Sequence, residues 1–326
     1  MGTLYIDRRG THLTLAHKAL TIREPEARPR SVPLSLIDRL VIIGHVELSS
    51  GVLTALAERG VGVVLMPARG QRRSAFLRSE GHGDAVRRLG QYRLAQLEPE
   101  RQAWARQLVR LRLAGQQRLL AGALHQRPDQ RQPLTAARRE IEAAHAAVRR
   151  QAPAGEQLRG QEGTAAAAFF RGYATLFPEA LGFAGRNRRP PRDPVNAVLS
   201  LGYTLAHGDA LRAATAAGLD PAIGVLHQPV WGRDALACDL TELARARVER
   251  LTWQLFATQA LTRSDFTHSA EGVRLAKAAR QTFFGCWERH AGLHRRWQRR
   301  AALALAAACA QLGTQVVPEE HDVHGA

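Results

Sequence analysis

The stretch 86–113, VRRLGQYRLAQLEPERQAWARQLVRLRL, decides the fold class. Val86, Leu89, Leu94, Leu97, Trp104, Leu108 and Leu111 recur at helical spacing with arginines filling the intervening positions, and Leu119 continues the pattern. From about residue 84 the chain therefore reads as helical. Upstream the periodicity is different. Thr3 to Ile6, Thr11 to Leu15, Ala19 to Ile22, Arg39 to Ile43, Val61 to Leu65 and Ser74 to Leu77 are short runs of β-branched and apolar residues, separated by turn residues, and read as strands. Among them Ser49 to Arg59 reads as one helix, with a serine to cap it, Val52, Leu53 and Leu56 on one face, and Gly60 to end it.

The expected architecture is thus α+β: a small, mainly β N-terminal domain over 1–80 and a larger all-α domain over 84–313. Helical patterns recur at 162–176, 194–217, 239–261, 270–289 and 291–312, while 314–326 lacks periodicity and is expected to be a flexible tail. Residues 126–157 carry Pro128, Pro133 and Pro153 among Gln, Arg and Ala, which predicts a short helix around Ala136 to Arg149 between mobile loops.

Composition narrows the function classes. Lys plus Arg number 46 against 29 Asp plus Glu, a formal net charge of +17 that calls for a polyanionic partner. With 45% hydrophobic residues the chain has the material for a core, so it is not a disordered basic tail. All but Lys18 and Lys277 of the basic residues are arginine, a bias that genome composition explains as well as phosphate geometry does. No apolar run approaches the ~18 residues of a membrane span. Cys238, Cys286 and Cys309 form no CxxC pair, which argues against a disulfide framework or a zinc ribbon. With no export signal at the N-terminus, the expected location is the cytoplasm.

Three segments carry candidate chemistry. In GRNRRPPRDPVNAVLSLGY, residues 185–203, Arg186, Arg188, Arg189 and Arg192 precede Asp193 and Pro194, which suit a helix start. Guanidinium groups beside a helix N-terminus make a phosphate site, and a solvated basic loop explains the same residues. In GLDPAIGVLHQPVWGRDALACDLTE, residues 218–242, His227 ends an apolar run, and Asp239 and Glu242 lie three apart on one helix face. One imidazole and two carboxylates suit Mg²⁺ or Mn²⁺ better than Zn²⁺. Glu162 opens the run GTAAAAFF. Taken singly, each has a structural explanation: a hydrogen-bonded histidine, a solvated helix face, a carboxylate on a helix dipole.

In sequence order, EG at 162–163, RNRRPPRDPVNAVLSLGY from Arg186, GLDPAIGVLH ending at His227 and LACDLTE ending at Glu242 resemble the CRISPR-associated spacer-acquisition integrase. That family is the metal-dependent endonuclease subunit of the adaptation complex. VERL at 248–251, GVRL at 272–275 and LIDRLVIIGHVELSSGVLTALAERGVGVVLM at 36–66 extend the resemblance over most of the chain. It implies an N-terminal β domain used for dimerisation and an α-helical catalytic domain. It also implies Glu162, His227 and Glu242 as catalytic metal ligands for Mg²⁺ or Mn²⁺, with Asp239 as a supporting acid. Thr241, Leu243 and Ala244 depart from the family's usual residues around the final acid.

The implied reaction inserts short double-stranded DNA fragments into a CRISPR repeat array. A fragment's 3′-hydroxyl attacks a phosphodiester, with no ATP and no covalent enzyme intermediate. Arg186, Arg188, Arg189, Arg245 and Arg250 are the expected DNA contacts. The implied partners are the DNA, a second copy of the chain and a small ferredoxin-like CRISPR-associated dimer. Two rival readings remain: a transposase of the related casposon type, and a non-catalytic basic DNA-binding scaffold whose three ligands are structural.

Overall fold

The computed structural model describes residues 2–67, 74–77, 85–187 and 190–316, and the chain divides into two compact units, Met1–His82 and Gly83–Ala326. The first unit holds, in chain order, β1 (Gly2–Ile6), β2 (Thr11–Ala16), β3 (Ala19–Arg23), β4 (Arg30–Pro33), β5 (Ile37–Ile43), β6 (Val46–Leu48), α1 (Ser50–Glu58), β7 (Gly62–Met66) and β8 (Ala75–Leu77). Two four-stranded sheets result, ordered β1-β5-β7-β8 and β4-β3-β2-β6. In the first, Leu40 of β5 stands between Leu4 of β1 and Val63 of β7 in parallel register, and all three strands bury apolar side chains. In the second, Thr11 and Leu13 of β2 are buried while His12 and Thr14 face outward, the alternation of a sheet with one covered face. Val52 and Leu56, one helical turn apart on α1, complete the core with Ile6, Leu13, Leu20, Ile22 and Leu40.

The second unit holds α2 (Ala85–Gln96), α3 (Glu98–Gln126), α4 (Arg131–Gln151), α5 (Gly155–Ala174), α6 (Pro194–Ala216), α7 (Ala235–Glu242), α8 (Arg245–Ala257), β9 (Phe266–Ser269), β10 (Gly272–Leu275) and α9 (Lys277–Thr314). A ring cluster centred on Tyr173 ties the α5 end of the unit together. Its centroid lies 5.2 Å from Phe169, 5.0 Å from Phe177 and 5.9 Å from Phe183. Helices α2 and α9 approach backbone to backbone. A Cβ on Gly90 would lie 1.7 Å from the Cys309 carbonyl oxygen, and one on Gly313 would lie 2.0 Å from that of Val86.

Several expectations change on contact with the structure. The domain expected to be all-α contains the antiparallel hairpin β9–β10, over residues partly read as helix. Gly272, at φ +108°, lets this hairpin close on the Pro190–Pro191 loop, where Val273 N–H donates to the Pro191 carbonyl at 2.8 Å. Residues 126–157 are not mobile loops around a short helix. Pro133 falls in the first turn of the 21-residue α4, where N–H groups have no partner inside the helix, and Pro153 follows its left-handed end at Ala152. From Lys277 on, the patterns at 270–289 and 291–312 belong to one 38-residue helix that runs through Gly292. The pattern at 239–261 is two helices, α7 and α8. In the segment read as a tail, Thr314 still belongs to α9, and 317–326 lie outside the described residues.

Candidate active site

Asp239 organises one wall of the site. Its side chain is 0% exposed, and its carboxylate accepts four hydrogen bonds: from the backbone N–H of Val225 (2.6 Å), Leu226 (3.1 Å) and His227 (2.9 Å), and from the His227 ring at Nδ1 (2.7 Å). A close-set acid on α7 thereby clamps the preceding loop and fixes the imidazole. With Nδ1 on the carboxylate, the other ring nitrogen, Nε2, is the one left to act as a base or a ligand. Burial disfavours the imidazolium, but the Asp239 hydrogen bond and charge, with Glu242 nearby, outweigh it and raise the His227 pKa above the ordinary value.

Glu242 lies one helical turn further along α7, with its side chain 2% exposed. Arg245 donates Nε–H to both of its oxygens at 2.7 Å, and Arg112 of α3 reaches it at 2.9 Å. Burial alone would raise this carboxyl, yet the two guanidinium groups pull it down to about 2. The same Arg112 Nη1 also contacts Glu162 Oε1. Two acids 80 residues apart in sequence, from α5 and α7, thus converge on one buried cation.

Behind this pair lies a third acid. Glu249 of α8 is fully buried and accepts from Tyr203 Oη at 2.7 Å, while its backbone carbonyl accepts from Tyr173 Oη at 2.6 Å. Burial raises its pKa, against the pull of Tyr203, Arg112 and Arg245. The Tyr203 ring carries the Arg245 guanidinium at 4.9 Å and that of Arg186 at 5.3 Å.

The structure therefore brings Glu162 and Glu242 to one point and joins His227 to Asp239. It turns two expected DNA contacts inward. Arg186 bonds Asn196 Oδ1 at 2.8 Å, Ser200 Oγ at 3.1 Å and the Asn187 carbonyl, because the start of α6 offers these acceptors beside the Tyr203 ring. Arg245 is committed to Glu242. The α6 N-terminus, read as a phosphate site, has its Asn196 N–H capped by Asp193 at 2.8 Å. Arg250 is exposed on α8 and donates to the Arg118 carbonyl at 3.4 Å. Arg188 and Arg189 lie outside the described residues.

Sequence reading missed Arg112, Tyr203 and Glu249. The signal for Arg112 is its phase: with Gln116 it continues the buried stripe of Leu108, Val109, Leu119 and Leu120 along α3, where a solvated arginine does not belong. Tyr203 and Glu249 end or interrupt motifs quoted above, without a spacing that marks them.

Over residues 4–289 the chain matches the family described as CRISPR associated protein Cas1. A CRISPR-associated endonuclease Cas1 of Thermodesulfovibrio yellowstonii is 34% identical over 297 residues, covering 88% of this chain and 91% of the relative. Among solved structures, a casposase bound to its integration product superposes with a TM-score of 0.80 at 17% identity, over 97% of this chain and 91% of that one. A chain of a Cas6-RT-Cas1–Cas2 complex gives 0.80 at 24% identity, over 96% of this chain and 35% of that longer one. These likenesses show a shared fold, and the family match with the 34% relative shows kinship. The chain belongs to the Cas1 family of CRISPR-associated proteins.

Proposed function

We propose that this protein is a CRISPR-associated integrase and endonuclease that joins short DNA fragments to a repeat array by metal-dependent transesterification at Glu162, His227 and Glu242. The observation that carries this reading is the convergence of Glu162 and Glu242 on one cationic nitrogen, beside an imidazole whose Nδ1 is held by Asp239. Its kinship with the endonuclease named above supports it.

The donor set fits a hard divalent ion. Two carboxylates and one neutral imidazole nitrogen are oxygen-rich ligands of the kind Mg²⁺ and Mn²⁺ take, and the Arg112 guanidinium shows that the acid pair already holds one positive charge. Among the described residues no three His, Cys, Asp or Glu side chains form a finished cage. Arg112 stands between the two acids, so a metal ion and this guanidinium compete for the same carboxylate oxygens. A divalent cation held there lowers the pKa of the attacking hydroxyl and offsets charge on the phosphate.

Each residue then has a physical task. Glu162 and Glu242 would hold the ion, Arg245 fixes the Glu242 carboxylate through both oxygens, and Asp239 holds the His227 ring so that Nε2 would be the nitrogen offered to it. Tyr203 and Glu249 brace Arg245 from behind. In the reaction the fragment's 3′-oxygen bonds to phosphorus and the target's P–O3′ bond breaks. The proton lost by the attacking hydroxyl is balanced by one gained at the departing 3′-oxygen. With water as nucleophile the same site nicks DNA. Arg250, with Arg118 and Arg247 near it, supplies exposed positive charge for phosphates, together with Arg188 and Arg189 on sequence grounds.

Two attacks on opposite strands need two sites at a fixed separation, which supports a homodimer, with the β unit as its expected contact. The small ferredoxin-like CRISPR-associated dimer is the proposed further partner, in keeping with the Cas2-containing assembly of one structural relative. The deciding experiment is strand joining: purified protein with and without that partner, a labelled duplex with free 3′-hydroxyls, a supercoiled repeat plasmid, and Mg²⁺, Mn²⁺ or EDTA. Metal-dependent transfer of label, lost in Glu162→Gln with DNA binding kept within a few-fold, is expected. Tight binding without joining under any metal would establish the scaffold reading instead.

A further inference from the structure

The loop 228–233, QPVWGR, leaves the active site at His227 and returns to it at the start of α7, and every residue in it is exposed. Both ends are held by one buried carboxylate, since Asp239 accepts from the backbone of residues 225 to 227 and itself sits on α7. At its tip Val230 to Arg233 form a hydrogen-bonded turn, with the Arg233 N–H donating to the Val230 carbonyl at 3.1 Å and Gly232 at φ +70° in the third position. That geometry puts Trp231 at the corner of the turn, where it is 98% exposed and its neighbour Val230 is 50% exposed. Trp253 and Trp287, by contrast, are 5% and 2% exposed in the core. A tryptophan held fully in water on a pinned turn adds nothing to the core.

We infer that Trp231 is a stacking platform for an unpaired nucleobase of the DNA strand that reacts at Glu162, His227 and Glu242. Three observations select this occupant. Trp231 lies four positions beyond His227, so their α-carbons stand no more than about 14 Å apart, a reach of about four nucleotides at 3.4 Å per step. The loop contains Arg233, with Asp234 following it, in a chain of net charge +17, which suits a polyanion and disfavours a basic-faced helix or a neutral membrane. An indole face stacks on any base and needs one that is free of its neighbour, as at a frayed or single-stranded 3′ end. The inference rests on the proposed strand-joining function and adds to it a residue that positions the reacting strand.

The test uses full-length protein and duplex fragments with single-stranded 3′ ends, each carrying 5-iododeoxyuridine at one of the last several positions. After irradiation, crosslinked peptides are identified by mass spectrometry, and joining is measured in parallel. A crosslink at Trp231 from one or two positions near the 3′-hydroxyl is expected. Trp231→Ala should raise the KM for frayed fragments about tenfold with little change in kcat, and Trp231→Phe should retain most of the effect. Because the residue is exposed, Trp231→Ala keeps its wild-type melting temperature. If wild type joins DNA but no position crosslinks to Trp231, or Trp231→Ala joins frayed ends as well as wild type, the stacking inference is overturned while the strand-joining reading stands. A crosslink at Trp231 in a protein that joins nothing would support the contact and overturn the reading on which its purpose rests.

Discussion

Replacing Asp239 by Asn keeps the shape of the side chain that clamps the 225–227 loop and removes the property on which the site depends. The carboxylate offers only acceptors, and four donors meet it: three backbone N–H groups and His227 Nδ1. An amide has one acceptor oxygen, so whichever way it turns its NH₂ faces two of those donors. If the NH₂ takes the Oδ1 position it can satisfy Nδ1 only by donating to it, which moves the imidazole proton to Nε2 and blocks that nitrogen as a ligand. Removing such an orienting partner costs about 10- to 100-fold in metal affinity. The half-saturating Mg²⁺ or Mn²⁺ concentration for joining should therefore rise by that factor in Asp239→Asn, with most of the rate returning at saturating metal. Asp239→Ala goes further. It strands the buried Val225 N–H at about 1–3 kcal/mol, while the half-exposed Leu226 and His227 groups regain water, for a total loss of roughly 2–5 kcal/mol. In a unit of this size that lowers the Tm by about 5–15 °C. Glu242→Gln differs in kind, because no metal concentration replaces a missing ligand. Metal titrations of joining, with thermal melts alongside, separate the three variants. Equal half-saturating metal concentrations in wild type and Asp239→Asn would refute the orienting role.

Further outcomes follow from other parts of the molecule. The Glu242 carboxyl is depressed from 4.5 to about 2, so the stability it contributes is present above pH 4.5 and is lost as pH falls toward 2. The shift corresponds to about 3 kcal/mol, and Glu242→Gln should flatten this part of the pH dependence in denaturant melts between pH 5 and 2.5; parallel curves would count against it. Arg112→Met leaves Glu162 and Glu242 without their shared cation and should cost about 3–5 kcal/mol in EDTA, with Mg²⁺ raising the variant's Tm more than the wild type's. Equal Mg²⁺ shifts would mean that Arg112 and the metal do not share the acids. Gly90→Ala forces α2 off the Cys309 carbonyl of α9 and should destabilise by about 1–3 kcal/mol or more, whereas Gly292→Ala, with no heavy atom nearby, should be neutral or stabilising. Comparable melts for the two glycine variants would contradict the close helix approach.

The strands that could be read in the sequence are those whose side chains alternate or run apolar. Of the strands that were missed, β4 and β6 of the first unit have no such pattern: Arg30–Pro33 is an edge strand carrying arginine and proline, and Val46–Leu48 is only three residues long. Proline misled the reading of 126–157 because its effect depends on position, and Pro133 sits where a helix has no N–H to lose. The break read at residue 290 has no counterpart in the continuous α9, which also runs through exposed Gly292 at a cost of only about 1 kcal/mol. In the site, the pairing of His227 with Asp239 lies within reach of a local argument, twelve residues apart across a loop. The meeting of Glu162 with Glu242 does not, since it depends on Arg112 from a third helix. Arginines were the hardest to place. In a chain this rich in them, composition offers no distinction between Arg112 and Arg245, which hold acids in the interior, and Arg250, which faces solvent.

The buried charges themselves argue for a ligand. Glu242, Glu249 and Arg112 are nearly or wholly excluded from water, Arg245 and Glu162 partly so, and desolvating such groups costs several kcal/mol each before any attraction is counted. A helical core of this size would be as stable or more so with apolar residues at these positions, so stability alone does not account for them. Their order is also directional. Tyr203 engages Glu249 and lies under Arg245, Arg245 grips Glu242 through both oxygens, and Arg112 is divided between Glu242 and the more exposed Glu162. The bracing tightens inward and loosens toward Glu162, whose side chain is 26% exposed and which has Arg112 as its ion-pair partner among the described residues. An arrangement built only to neutralise charge would have no reason to leave its outermost acid sharing a cation with another. One built to admit a second cation needs that acid held at the edge, near water, with negative charge in reserve. That asymmetry is why Glu162, rather than the better-braced Glu242, is the side chain whose rearrangement should accompany metal entry.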